Sequence, residues 1–207
     1  MTVPRGRHAP PLEVRLSVQR RRLFEAAAAV FARVGYAEAT AEAISREAGM
    51  SKATFYEHFA NKEECILALF YEAATEIMRA MGQASDAEVY ASYEERVAAG
   101  VHAFLETLAS YPAEAQTLLV QIIGAGPRAA ARRDAILEAF AESLYRDNLQ
   151  AAPKYGAPTF ASRDDAFAII GASVELVSRS LRTGAPRDVL ALEPVIARLM
   201  LGALERA

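Results

Sequence analysis

The sequence predicts an all-α protein of about nine helices in two parts, on three observations. Apolar residues recur at i, i+3 and i+4 through most of the 207 residues, and alternating Val/Thr-rich runs are scarce. Alanine, the strongest helix former, fills the periodic segments. Most of the nine prolines and eleven glycines lie between those segments. With 53% apolar and 24% charged residues, the chain is globular rather than disordered.

Residues 1–12 contain Pro4, Pro10 and Pro11 and read as a flexible basic arm. Its Arg5 and Arg7 could reach a DNA backbone or minor groove, or belong to a solvated tail. The first helix runs from 13 or 17 to 34, with Leu23, Ala27, Val30, Phe31 and Val34 on one stripe, and Gly35 ends it. Arg20, Arg21 and Arg22 lie near its start, where at least one could meet phosphate.

Residues 40–62 hold two short helical patterns joined by a tight turn. Thr40 can cap the first, with Glu42 near the positive end of its dipole. Ile44 and Ala48 share a face, and Gly49 can take the positive φ that stops the helix. Ser51 caps the next helix, whose Phe55 and Phe59 fall at i,i+4 on the buried side. Small Ser45 sits where the helices cross, so the spacing is that of a helix-turn-helix. The exposed face, Lys52, Ala53, Thr54, Tyr56, Glu57 and His58, is about as wide as a DNA major groove. An ordinary helical hairpin with a solvated face has the same spacing.

Asn61 and Glu64 begin a fourth helix that continues to about 81, closed by Gly82. A fifth spans about 86–110, and Pro112 suits the first turn of a sixth at about 112–123. Gly124-Ala125-Gly126-Pro127 is a breaker before a seventh helix, about 127–150, that starts basic with Arg128, Arg132 and Arg133. Residues 151–162 form the longest internal loop. The eighth helix, about 163–183, carries Phe167, Ile170, Val174, Val177 and Leu181 on one stripe, widened by Ile169 and Leu176. The ninth, about 188–205, is apolar nearly all round, with Pro194 in its first turns or restarting it. Such a helix is hard to leave exposed, so helices 8 and 9 read as a two-fold interface forming a four-helix bundle; a core helix of a monomer is the alternative.

The segment from Ser51-Lys52-Ala53-Thr54-Phe55-Tyr56 through Glu57-His58-Phe59-Ala60-Asn61-Lys62-Glu63-Glu64 is similar to the recognition helix and following segment of the tetracycline-repressor (TetR) family. Phe31-Ala32-Arg33-Val34-Gly35-Tyr36, followed by Thr40, resembles the end of that family's first helix. The resemblance covers about the first 75 residues; beyond them only the helix layout is similar. It implies a helix-turn-helix DNA-binding domain over 13–62 and an effector-binding and dimerisation domain over 63–207, the fourth helix linking the two. It further implies a homodimer on a palindromic DNA operator, usually a repressor, released when a small-molecule effector swings the fourth helix. Two heads would then sit on successive major-groove turns, about 34–36 Å apart.

By the same resemblance Tyr56 and Lys62 are backbone contacts, a phenol and an ammonium each able to grip phosphate. Thr40 and Ser51 can present hydroxyls or backbone amides to phosphate. Lys52, Ala53 and Thr54 are placed for base edges, and Glu57 and His58 for either class. Glu42 departs from the pattern, since a carboxylate beside phosphate repels it. A helical body can hold an apolar cavity. Its candidate lining is Met78, Tyr93, Phe104, Tyr111, Gln121, Tyr145, Phe167 and Glu175, implying a largely apolar effector.

Charge agrees with this division. Residues 1–62 carry 10 Lys+Arg against 6 Asp+Glu, a net +4, and the rest 13 against 20, a net −7. A basic part on an acidic body suits phosphate on one side and solubility on the other. Catalysis has no support: three histidines, His8, His58 and His102, stand apart, with no metal-ligand spacing, phosphate loop or nucleophile elbow. The single Cys65 excludes an intrachain disulfide and a cysteine-pair zinc site, and a buried apolar role is expected for it. No cofactor or metal is expected. The N-terminus lacks the apolar core of a secretory signal, and no run spans a membrane, so a cytoplasmic protein is expected. The competing reading is a helical ligand-binding or interaction protein without sequence-specific DNA binding.

Overall fold

The computed structural model describes residues 11–86 and 90–204. Among them the fold is helical, with no strand. Three helices form an N-terminal head: α1 (Leu12–Glu38), α2 (Ala41–Glu47) and α3 (Lys52–His58). The body contains α4 (Lys62–Asp86), α5 (Tyr93–Ser110), α6 (Pro112–Leu119), α7 (Pro127–Ala151), α8 (Arg163–Thr183) and α9 (Glu193–Gly202). One apolar core runs without a break from Leu23 in α1 to Met200 in α9. Among the described residues no helix is long and apolar enough to cross a membrane. Most of the basic arm, with Arg5 and Arg7, lies outside the described residues.

The breakers act as their chemistry requires, with instructive exceptions. Gly35 leaves helical geometry at φ 79°, so α1 turns there before a last short turn to Glu38. Val34, expected on the buried stripe, is 43% exposed. Gly82 does not close α4, which continues to Asp86. A glycine weakens an exposed helix by about 1 kcal/mol relative to alanine without forbidding it, and packing of α4 on α5 outweighs that. The next helix starts not at 86 but at Tyr93, where Ser92 Oγ accepts from Glu95 N at 3.2 Å. Ser92-Tyr93-Glu94-Glu95 is a capping-box pattern, a start signal carried by the sequence itself.

α6 stops at Leu119 because Val120 turns to φ −120°, ψ −55°, and a 3-10 turn, Gln121–Gly124, follows. α8 has the expected bounds and a full capping box between Ser162 and Asp165. Its buried stripe is Ala166, Ile169, Ser173 and Val177, while Phe167 lies beside it at 37% exposure. The expected final helix is split: a 3-10 turn, Val189–Leu192, precedes α9, which restarts with Pro194 in its first turn. Cys65 is fully buried, and burial pushes its thiol up to about 12.

Candidate nucleic-acid interface and apolar cavity

The head is assembled by local hydrogen bonds. Thr40 Oγ1 accepts from Ala43 N at 3.1 Å and starts α2; Ser51 Oγ accepts from Thr54 N at 3.0 Å and starts α3. Between them Gly49 takes φ 64°, in the left-handed region that costs other residues about 1–2 kcal/mol. Ser45 is buried at the crossing and donates to Ala41 O at 2.6 Å. Phe55 and Phe59 pin the back of α3, their rings 5.5 Å apart, and Phe24 of α1 meets Phe59 at 5.4 Å.

What this leaves outward on α3 is Lys52, Ala53, Tyr56 and Glu57. The spacing i, i+1, i+4, i+5 puts them on one helical face. Tyr56 is 50% exposed, and Thr40 and Ser51 are exposed beside the helix starts. Thr54 is half-buried, its Oγ1 2.9 Å from Ser51 Oγ. His58 turns to the back: its Nε2 lies 3.3 Å from Gln19 Oε1 on α1, off the outward face. Burial, helped by the Arg20 guanidinium, holds His58 below the usual imidazole range.

Several cations of the head, Lys62, Arg20 and Arg22 among those expected at phosphate, are spent on contacts within the protein. Lys62 Nζ donates to the carbonyls of Tyr36, Ala37 and Ala39 at 2.9, 2.8 and 3.0 Å, and sits 4.6 Å from the Tyr36 ring centroid. An ammonium has three protons, so none remains for phosphate in this geometry. Lys62 instead ties the end of α1 to the start of α4. Arg22 Nη2 donates to Ala48 O at 2.8 Å and caps the end of α2. Arg20 pairs with Glu72 at 3.2 Å over the Phe24 and Phe59 rings, and Arg33 clamps Glu47 at 2.9 Å. These clamps join residues 14 to 52 positions apart, a distance at which a sequence carries no pairing signal.

Head and body meet through specific contacts. Gln121 Oε1 accepts from Tyr36 N at 3.2 Å. Arg128, on the first turn of α7, bridges Glu63 at 3.1 Å and Glu64 at 2.7 Å, on the first turn of α4.

Within the body, α4 to α9 enclose an apolar cavity of about 70 Å³. Ala74 and Ile77 of α4, Ile136 and Phe140 of α7, Ile169 of α8 and Met200 of α9 wall it. Of the eight lining residues expected, only Phe104 is on its wall. Met78 faces a separate hollow beside Ser143 and Asp147. Tyr93 is buried elsewhere, its hydroxyl accepting from Asn148 Nδ2 at 2.8 Å. Gln121 is used at the head contact, and Glu175 pairs with Arg182 at 2.7 Å on the surface. Tyr111 and Phe167 are exposed, and Tyr145 is half-buried away from the cavity. The expectation favoured aromatic and polar residues; the wall is mostly aliphatic.

Residues 23–69 match the family model described as bacterial regulatory proteins, tetR family. No curated protein matches the chain. Among solved structures, the fatty acid degradation regulator FadR from Bacillus halodurans is similar at TM-score 0.80 and 21% identity, over 91% of this chain and 97% of that one. FadR from Bacillus subtilis, solved in complex with stearoyl-CoA, aligns at TM-score 0.76 and 19% identity over 89% and 99%. SmeT, the repressor of the Stenotrophomonas maltophilia multidrug efflux pump SmeDEF, aligns at 0.71 and 18% over 90% of each chain. At these identities the likeness establishes the fold; the family rests on the N-terminal match. Residues 23–69 thus match the DNA-binding part of the tetR family of bacterial regulatory proteins, and they sit on an all-helical fold shared with these solved structures.

Proposed function

We propose that the protein is a homodimeric transcriptional repressor, acting in the cytoplasm without catalysis, that leaves a palindromic operator when a small, largely apolar effector enters the body. The observation that carries the DNA half is the outward face of α3. Lys52, Ala53, Tyr56 and Glu57 project while Phe55 and Phe59 hold the helix from behind. Lys52 suits a guanine edge, Ala53 a thymine methyl, and the Tyr56, Thr40 and Ser51 hydroxyls suit phosphate. Thr54, Glu57 and His58 are secondary in this reading, and Lys62 holds the head's shape instead of gripping DNA.

Dimerisation through α8 and α9 accounts for apolar surface that a single chain leaves in water, with Phe167 and Leu199 at 37% and 40% exposure. In this reading the chain beyond about residue 62, α8 and α9 included, is the dimerising, effector-binding part. Cavity size supports the release mechanism. Ligand pockets have about 300–1,000 Å³, whereas this cavity has about 70 Å³. An occupant must therefore part the walls, and α4, one wall, runs straight to the head. Binding that favours the parted arrangement shifts the population toward a head spacing that no longer fits the operator.

The test is anisotropy binding to DNA from immediately upstream of the protein's own gene, titrated with salt. Tight, selective binding by a dimer with a steep salt dependence is expected. Weak binding without preference, there and in a genome-wide selection of bound fragments, would leave a ligand-binding body as the whole function.

A further inference from the structure

Among the described residues that wall the body cavity, only Arg133 is charged. It stands on α7 at the head of an apolar stripe, with Ile136, Leu137, Phe140 and Leu144 following at helical spacing on the same wall. Ile136 and Leu137 are each 8% exposed, whereas the Arg133 side chain is 29% exposed. The arginine therefore stands at the rim, where the apolar space reaches water. Its ion-pair contact among the described residues is Asp134, its own neighbour, at 3.8 Å and 73% exposed. That is too long for a charge-assisted hydrogen bond, and an exposed carboxylate at that distance holds a guanidinium only weakly.

The other cations nearby do not change this balance. Arg128 is neutralised by Glu63 and Glu64, and Arg132, exposed beside Arg133, makes no ion pair among the described residues. The rim thus sets a planar five-donor fork, free of any close protein acceptor among the described residues, against an aliphatic interior. An anion at the rim offers acceptors that no described residue supplies, and a guanidinium binds carboxylate or phosphate through two parallel hydrogen bonds.

We infer that the cavity's occupant is an amphipath, with an apolar chain between α4, α7, α8 and α9 and an anionic head group held at the rim by Arg133. This rests on the reading of the cavity as an effector site, and it names the ligand's chemical class and its anchoring residue. Arg133 also stands five residues from Arg128 on the same helix, and Arg128 pairs with Glu63 and Glu64 at the start of α4.

The test uses the full-length protein with three probes of equal chain length below their aggregation concentrations: laurate, lauroyl-CoA and 1-dodecanol. Binding is measured by calorimetry and release by anisotropy on bound operator DNA. At least one anionic probe should bind about tenfold or more tighter than the alcohol, the usual worth of a charge-assisted pair. Arg133→Met, which keeps length and apolar bulk, should abolish that preference while leaving dodecanol affinity and thermal unfolding unchanged. Arg133→Lys should keep part of it. Binding of laurate points to a carboxylate, and binding of lauroyl-CoA alone points to the phosphates of the thioester's carrier.

Equal affinity for all three probes overturns the inference and leaves the effector reading intact. So does an Arg133→Met loss shared by the alcohol, which would make Arg133 a packing residue. Anionic binding at Arg133 without operator release would uphold the inference and sink the release mechanism. No binding by any probe overturns both.

Discussion

The head and the body hold their shapes by different means. In the head, hydrogen bonds at named atoms fix the elements: Thr40 and Ser51 cap α2 and α3, Arg22 closes α2, and Lys62 gathers three carbonyls. In the body, long amphipathic helices lean on one another through aliphatic side chains and leave about 70 Å³ unfilled. A surface proposed to match a DNA groove needs fixed angles, and directional bonds give them. Under the proposed function the body yields to an occupant, and packing that can part serves it there: the body's Arg96–Asp147 and Tyr93–Asn148 bonds involve no residue of the cavity wall.

The sharpest way to break this comparison is at the head's core. Phe55 is fully buried between the Phe59 and Tyr56 rings. Phe55→Ala should cost about 3–5 kcal/mol and abolish DNA binding, read by thermal unfolding and anisotropy together. Retention of operator binding would mean that the head is not the rigid part.

Next come the two lysines, which the structure separates. Lys62→Met strands three carbonyls and should lower stability by about 1–3 kcal/mol while leaving the salt dependence of DNA binding unchanged. Lys52→Ala should leave stability within about 0.5 kcal/mol and reduce the salt slope by about one if it meets phosphate, or relax one base position if it meets guanine. A salt slope that falls for Lys62→Met would return that residue to the DNA contacts.

The same contrast governs what the sequence made legible. The caps Thr40 and Ser51, the turn at Gly49 and the α8 box at Ser162 and Asp165 are interactions within four residues, and each has a residue signature. Lys62, by contrast, spends its donors on carbonyls 23 to 26 residues away, and nothing in Asn61-Lys62-Glu63 announces this. The cavity was still less accessible. A void is what distant side chains fail to fill, so Ala74, Ile136 and Met200 look like core, and Tyr93 or Phe167 look like better ligand walls than they are. The helix ends misjudged at Gly82 and Val120 fall where tertiary packing overrode local preference.

A substitution in the body should sharpen the comparison in the stabilising direction. Ala74 is buried on the cavity wall, and Ala74→Leu projects into the void. Filling it should raise stability by about 0.5–2 kcal/mol and blunt the response to effectors, with DNA binding intact. Destabilisation beyond about 1 kcal/mol would mean that the walls are already tight, as overpacked cores are.

The smallest expected effect contrasts the two described histidines. In the head, His58 is held below its ordinary range, chiefly by burial and then by Arg20. Its folded form resists protonation, so its contribution is fully present above the unfolded value of about 6.5 and is lost as pH falls below that. In the body, His102 Nδ1 lies 2.9 Å from Glu193 Oε2, joining α5 to the first turn of α9, and this hydrogen bond, with charges on Glu193 and Glu106, raises His102. Its contribution is present below about 6.5 and disappears as pH rises through its folded value. His102 is half exposed, so water screens the pair and its worth stays below about 1 kcal/mol. Acid therefore loosens the head at His58 while tightening the body at His102. Unfolding midpoints of wild type, His58→Gln and His102→Gln from pH 5.5 to 8 separate the two. Relative to wild type, His58→Gln should gain stability toward acid, and His102→Gln should lose it there. Parallel curves for the three proteins would show that neither imidazole is coupled to folding.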